Sequence, residues 1–461
     1  MNRTTPTVAH VSSFRRGGAA TAAQRLHRSL RKLGVRSHFL AGPPATVADE
    51  PSTESSMTGE TPASPFAALE SRDDRTIAKR VDDYVRFRLH RQRFKRAARG
   101  GPNQTDLFSS PIAATTSGWS GGVPKAIDIV QLHWIAKHLH QPRLLESLRN
   151  IPVVWTLHDM NAFTGGCHYS GGCERFQTGC GHCPQLRSPA ESDVSRQLIS
   201  IKDAGLRRLD LHVVAPSRWL LDAARSSHLF RHAQSFHHIP YAMELGKPDP
   251  EQTRSLRQHE RVGEDEAIII FGAMDLDSPR KGGRELFAAL EALTRRPLQR
   301  RFRLWTFGAG DPASKLPEGV SHRHFGMVTD AARLRTIYSA GDVFVLPSLE
   351  DNLPLTGIEA MAAGTPVIGF RAGGIPDYVV DGHTGWLANA GSSESLADRI
   401  GAVIDDPKIT REMGDNARRK AEQDYACPRE ATRYCELYDD ILASRVGDAS
   451  RRSARLAPRA A

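Results

Sequence analysis

The chain has 461 residues, 39% hydrophobic and 25% charged, and 62 Lys+Arg against 52 Asp+Glu give a formal charge of +10. That composition is globular rather than disordered, long enough for about two or three domains, and biased toward anionic partners. No apolar run approaches the ~20 residues of a spanning helix, Met1–Pro6 lacks a signal-peptide core, and six cysteines are too few for a disulfide scaffold, so a cytoplasmic chain is expected.

In chain order, short apolar runs alternate with amphipathic helical patterns, which predicts parallel, doubly wound α/β sheets. Strands are expected at Thr7–Val11, Ser37–Ala41, Ile127–Leu132, Val153–Leu157 and Leu211–Ala215. Gly17-Gly18 closes the first strand's loop, and Ala19–Leu33 has helical spacing. An irregular join is expected near Phe236–Pro248. Strands then follow at Ala267–Phe271, Phe302–Phe307, His322–Phe325, Val343–Leu346, Val367–Phe370 and Gly385–Leu387. Helices are expected at Gly283–Leu293, Thr329–Ala340, Pro354–Ala363, Ile375–Val380, Glu394–Ile404 and Cys427–Ser444.

Three segments break this rhythm. Pro43–Pro65 is rich in Pro, Ser, Thr and Glu and reads as a loop. Arg75–Arg99 has ten Lys/Arg against two Asp, a net +8, with Ile77, Val81, Tyr84, Val85 and Leu89 as an apolar side. Such a helix suits either solvent and the first domain's flank or an anionic membrane surface. A nucleic-acid partner would leave the acidic loop described below without a role, so nucleic acid is not expected. From Arg445 an Arg- and Ala-rich tail is expected to fray.

Five constellations carry chemistry. In Pro347–Ala362, a strand gives way to a loop with acids and then to a helix opened by Pro354. Its backbone at Asn352, Leu353, Leu355 and Thr356 suits phosphate or sugar oxygens. Asp351 and Glu359, eight apart, suit a polyhydroxylated ligand; the plainer reading is a helix cap and a solvated face. Phe271-Gly272-Ala273 leads to Arg280-Lys281, cations before a helix, which suits a diphosphate. Gly17-Gly18 forms a strand–helix turn but not a dinucleotide fingerprint. His158 in Trp155-Thr156-Leu157-His158-Asp159 ends a strand, as does His133, and strand ends are where open α/β sheets bind ligands. Cys167, Cys173, Cys180 and Cys183 fall within 17 residues; a structural zinc, reduced thiols or a thiol–disulfide pair all fit.

The Pro347–Ala362 block resembles the acidic E-x7-E signature of family 4 retaining glycosyltransferases of GT-B fold, with Asp351 at the first acidic position and Glu359 at the second. Gly364-Thr365-Pro366, Ala372-Gly373-Gly374-Ile375-Pro376 and Gly382-His383-Thr384-Gly385-Trp386 follow in the family's order. Two positions depart from it: Asp351 stands in place of Glu, and Ala273 in place of an Arg. The string around Phe163-Thr164-Gly165-Gly166-Cys167-His168-Tyr169 is similar to a branch associated with bacterial exopolysaccharide assembly of colanic-acid type.

The resemblance implies two Rossmann-like domains facing a cleft, with a C-terminal helix returning to the first. The expected limits are 1–237 for an acceptor domain (insertion 43–122, Cys-rich loop 165–186), 246–425 for a nucleotide-sugar domain, 426–447 for the crossing helix and 448–461 for a basic tail. It implies a hexosyltransferase-type enzyme (EC 2.4) that moves a sugar, with retention, from a nucleotide-sugar donor to a saccharide acceptor, lipid-linked in exopolysaccharide synthesis at the inner face of the membrane. Asp351, Glu359 and His158 are the implied catalytic residues. Arg280, Lys281, Asn352, Leu353, Leu355, Thr356, Gly17 and Gly18 are the implied donor-binding ones. No cofactor is implied for catalysis. The alternatives are a GT-B-type epimerase and a non-catalytic anion or nucleic-acid binder.

Overall fold

The computed structural model describes residues 5–15, 17–41, 92, 108–112, 126–136 and 139–456, with side chains up to 445. The expected loop 43–65 and basic segment 75–99 lie, but for Gln92, outside the described residues. The chain divides into two compact units: one holds residues up to 216, 220–239 and 430 onward, the other 217–219 and 240–429.

The first unit contains β1 (Thr7–Ser12), α1 (Gly18–Lys32), β2 (Arg36–Ala41), β3 (Ile129–Leu132), α2 (Gln141–Ser147), β4 (Val153–Thr156), α3 (Val194–Leu206), β5 (Leu211–Ala215), most of α4 (Arg218–Ser226) and β6 (Ser235–His238). Its six strands are parallel in the order β2-β1-β3-β4-β5-β6. The order reverses between β1 and β3, and open α/β sheets bind ligands beyond the strand ends at such a switch point. Edge strand β6 lies where the sequence predicts an irregular join: Ser235-Phe236-His237-His238 is half-buried throughout and has no apolar run to betray a strand.

The second unit contains α5 (Pro250–His259), β7 (Glu266–Asp275), α6 (Gly283–Thr294), β8 (Arg301–Ala309), β9 (Ser321–His324), α7 (Ala331–Ala340), β10 (Val343–Leu346), α8 (Leu355–Ala362), β11 (Val367–Phe370), β12 (Gly385–Ala388), α9 (Ser393–Asp405) and α10 (Pro407–Asp424). The order β12-β11-β10-β7-β8-β9 is again parallel and switches between β7 and β10. Leu286, Leu290 and Leu293 of α6 and Leu396, Ile400 and Ile404 of α9 pack on one face of this sheet, against Ile269, Val345 and Ile368. Each fully buried side chain of this size contributes roughly 1.5–3 kcal/mol. The expected helix Ile375–Val380 contracts to the 3-10 turn Ile375–Asp377.

The closing helix α11 runs Cys427–Leu456. Its backbone stays helical past Arg445, where fraying is expected from the sequence. From Glu430 onward it belongs to the first unit, where Ala431, Tyr434, Leu437, Tyr438 and Ile441 join the core of Val8, Leu26, Leu30, Val154 and Val214. A buried polar chain fixes its register. The Tyr438 hydroxyl donates to Gln131 Oε1, Gln131 Nε2 donates to Thr156 Oγ1 (2.8 Å), and Thr156 Oγ1 shares a proton with the Tyr434 hydroxyl (2.8 Å). Every large polar group in that chain is satisfied, which is what its burial requires.

Candidate active site

In the second unit, the predicted cations and the first predicted acid meet at the switch point. Lys281 Nζ lies 2.7 Å and an Arg280 guanidinium nitrogen 3.0 Å from the same oxygen of Asp351. Arg280 also donates to Glu350 O (2.7 Å) and accepts from the Leu349 amide (2.9 Å). Burial alone raises the Asp351 carboxyl, but Lys281 and Arg280 outweigh it and hold it at about 2. Asp351 is therefore a carboxylate clasping both cations.

Two glycines make this approach possible. Gly282 has φ +73°, and a Cβ there would sit 1.8 Å from Pro347 O. Gly373 has φ +55°, and a Cβ there would sit 1.9 Å from Asp351 O. A side chain at either position would push the Asp351 loop off the cations.

Helix α8 follows with Pro354 as its N-cap and no side-chain cap bond. Asp351 is thus not the helix cap that the plainer sequence reading allows. The first turn carries no acid, so the positive end of the helix is not offset there. Asn352 and Leu353 are buried beneath it, and Leu355 and Thr356 are half-buried at its first turn. Glu359, half-buried on the second turn, accepts from the Tyr338 hydroxyl at 3.2 Å. Burial, reinforced by Glu359, pushes the Tyr338 phenol well above its ordinary value. Two further groups escape sequence reasoning. The Ser348 and Tyr378 hydroxyls are buried without a hydrogen-bond partner, and Tyr378 lies close under Gly357.

In the first unit, the switch point is lined by imidazoles instead. His10 of β1 and His133, just after β3, are buried, and His158, just after β4, is half-buried. His10 Nδ1 and His133 Nε2 are 3.0 Å apart, and His133 Nδ1 and His158 Nε2 are 3.1 Å apart. Burial, and then neighbouring imidazoles, hold His10 at about 3 and His133 well below 6.5. Burial brings His158 to about 4 against the opposing pull of Asp159. Asp159 is held in turn by His168 Nδ1 (2.6 Å), Trp134 Nε1 (2.7 Å) and the Asn161 amide (2.8 Å). His168 Nε2 reaches Ser109 Oγ at 2.7 Å, which ties the 108–112 segment to the strand ends. Ser109 is buried, so this Ser–His–Asp chain is a clamp rather than an exposed nucleophile. Gly17 and Gly18 are exposed at the start of α1, with Gly17 at φ +97°.

The Cys-rich loop is a correction. All four cysteines carry free thiols. They line one cavity of about 20 Å³, whose walls include Phe108, Phe176 and Pro184. In the metal-free chain, burial pushes Cys167, Cys180 (to about 11) and Cys183 up. Lys202, buried alongside, donates to the carbonyls of Asn161 and Thr164. Among the described residues, no group of three or more His, Cys, Asp or Glu side chains is placed to hold a metal ion. Of the three sequence readings, the structure supports reduced thiols and not zinc. Among the same residues, no helix is long and apolar enough to cross a membrane.

Residues 265–406 match the family model described as Glycosyl transferases group 1. The chain is 27% identical over 362 residues to the putative colanic acid biosynthesis glycosyl transferase WcaC of Escherichia coli, covering 76% of this chain and 80% of that protein. It is 31% identical over 176 residues to the D-inositol 3-phosphate glycosyltransferase of Corynebacterium glutamicum, covering 36% of this chain and 42% of that protein. That match thus spans about two-fifths of the inositol-phosphate relative's length. In fold, the chain resembles sucrose-phosphate synthase from Thermosynechococcus elongatus, with a TM-score of 0.61 and 19% identity over 95% of this chain and all of that one. It also resembles Anabaena HepE in complex with UDP-glucose, with a TM-score of 0.55 and 17% identity over 95% and 99% of the two chains.

Proposed function

We propose, from the premise that this chain belongs to the group 1 glycosyltransferases of GT-B fold, that it transfers a sugar from a nucleotide-sugar donor to a saccharide acceptor with retention of configuration. The observation that carries this reading is the Lys281–Asp351–Arg280 cluster at the second sheet's switch point, beside the uncapped start of α8. A diphosphate would take over the two cations and the first amides of α8. These groups stabilise the negative charge that grows as the bond from the sugar's anomeric carbon to the diphosphate breaks. Glu359 accepts hydroxyl hydrogens of the nucleotide's ribose, and Asp351, displaced from the cations, turns to the transferred sugar. The acceptor oxygen bonds to the anomeric carbon on the departing face, and its proton passes to a phosphate oxygen of the leaving group. His158 of the first unit presents its imidazole to a sugar hydroxyl, and Gly17-Gly18 offers open backbone amides to an anion.

The name of the colanic acid relative supports polysaccharide synthesis as the setting; the proposed acceptor is a lipid-linked saccharide at a membrane's inner face. The basic segment 75–99 would supply the contact with anionic headgroups. The test is to offer purified protein UDP-, GDP- and ADP-sugars with and without saccharide acceptors. Free nucleoside diphosphate should appear only with acceptor, and Glu359→Ala should abolish it while the protein remains folded. Turnover unchanged in that variant would overturn the assignment. Sugar inversion without acceptor would favour an epimerase.

A further inference from the structure

The three-imidazole chain of the first unit is more ordered than a sugar-binding histidine needs. His10 and His133 flank the switch point, because β1 and β3 are paired neighbours and the His133 amide donates to Val11 O at 2.9 Å. Neither is exposed to solvent. Their ring planes differ by 18°, with 5.3 Å between centroids, a spacing at which ring nitrogens meet. His133 then meets His158.

All three rings are held neutral by burial, so each has one N–H donor and one bare acceptor nitrogen. Two consecutive N···N bonds therefore admit only two arrangements, and every proton must point the same way along the chain. The inner end decides between them. His10 Nε2 is buried with no hydrogen-bond partner. If it carried the proton, a buried N–H would be orphaned, which proteins tolerate less than an orphaned acceptor. His10 therefore carries its proton on Nδ1 and donates to His133 Nε2. His133, obliged to be protonated on Nδ1, donates to His158 Nε2.

We infer that His10 and His133 are positioning residues that lock His158 in the Nδ1–H tautomer, with its Nε2 committed as an acceptor inside the protein. Resting on the proposed sugar transfer, this means that His158 enters the reaction with the direction of its ring hydrogen bonds already fixed, Nδ1 as donor and Nε2 as acceptor. Selecting that arrangement in advance removes a reorganisation step from the reaction.

The test uses full-length protein labelled with 15N-histidine and long-range 1H–15N correlation at pH 7, with rings assigned by single substitutions. Nδ1–H is expected at all three rings. In His10→Phe, which removes the inner donor, His133 and His158 should relax to tautomer mixtures and kcat should fall about tenfold, with KM for the nucleotide sugar within about twofold. His10→Asn, whose side-chain amide sits where His Nδ1 sits, should restore the tautomer and most of that lost kcat. A wild-type His158 protonated on Nε2 overturns the inference, and so does a His158 tautomer that ignores His10→Phe. If His10→Phe does not fold, the wild-type spectrum alone decides. If the tautomers are as expected but no nucleotide sugar is turned over, the proposed function fails and the relay stands.

Discussion

The two units solve one topological problem with opposite chemistry. Both are six-stranded parallel sheets with a switch point beside the strand nearest the unit's start. In the second unit that place holds full charges, two cations on one carboxylate. In the first it holds imidazoles that burial keeps neutral. The difference follows from the surroundings. The second unit's groups sit on loops and a helix start, where a charged ligand can replace the internal counterion. The first unit's groups sit on and just after strands, where a fixed charge would carry a desolvation penalty that the nearby Asp159 does not offset. A charged switch point suits grip on a leaving group, and a neutral one suits directional hydrogen bonding to hydroxyls.

The sharpest way to break this comparison is to remove charge from the second unit. Lys281→Ala should lower kcat/KM for sugar transfer by about 10³-fold, on the order of 4 kcal/mol of transition-state stabilisation. Weakened nucleoside diphosphate binding by calorimetry should accompany it. A variant that keeps wild-type turnover would show that the cations are merely Asp351's partners. The next effect compares the two strand–helix turns. Gly282→Ala meets both a left-handed φ and a carbonyl at 1.8 Å, whereas Gly17→Ala meets only the φ, with nothing within 4 Å. The first should cost about 3 kcal/mol and the second about 1 kcal/mol, by chemical denaturation. Equal losses would mean that the Gly282–Pro347 approach is not what sets the loop.

Legibility in the sequence divides along the same line. Leu211–Ala215, Val343–Leu346 and Val367–Phe370 are readable to the residue, because a strand buried on both faces is a continuous apolar run. β6, with two histidines and half-buried throughout, offers no such run. The polar helix α10, Pro407–Asp424, buries only Thr410, Met413, Gly414, Ala417 and Ala421 and is equally silent. At the site, Arg280-Lys281 and Asp351 stand out as residue types in loops, but their ion pair joins positions seventy apart and only the sheet order reveals it. His10 is hidden more deeply. It sits between Ala9 and Val11 in the buried strand Thr7–Ser12, and nothing local links it to His133 or His158. A histidine in the middle of a strand whose neighbours Val8, Ala9 and Val11 are apolar is the available signal.

Acid should separate the units next. His10 and His158 have folded values of about 3 and about 4 against 6.5 for an ordinary imidazole. Below 6.5 the unfolded chain takes up protons that the folded chain refuses, so stability falls as pH drops through the window from 6.5 toward 4. Linkage gives about 2 kcal/mol lost per fully buried imidazole between pH 7 and pH 5. Asp351, at about 2, does not protonate in that window, so the second unit's cluster should be insensitive to it. Hydrogen exchange at pH 5 should accordingly open β1, β3 and β4 before β7 and β10. The reverse order would mean that the imidazoles are not what keeps the first unit from tolerating acid.

The smallest effect probes whether the first unit's neutral polar groups are also what holds α11. Tyr438→Phe removes one hydroxyl, leaves the ring in its core of Leu26, Leu30 and Tyr434, and orphans the buried Gln131 Oε1. Leaving one buried acceptor unmet costs about 1–2 kcal/mol, less than deleting the ring would. Thr156→Val, which removes the next link, should add little to Tyr438→Phe if the four groups act as one chain. A double variant whose losses simply sum would mean that Gln131, Thr156, Tyr434 and Tyr438 stabilise α11 independently. Less-than-additive losses would make them one hydrogen-bonded unit, built as the imidazole chain is, from neutral groups that each leave the next only one way to point.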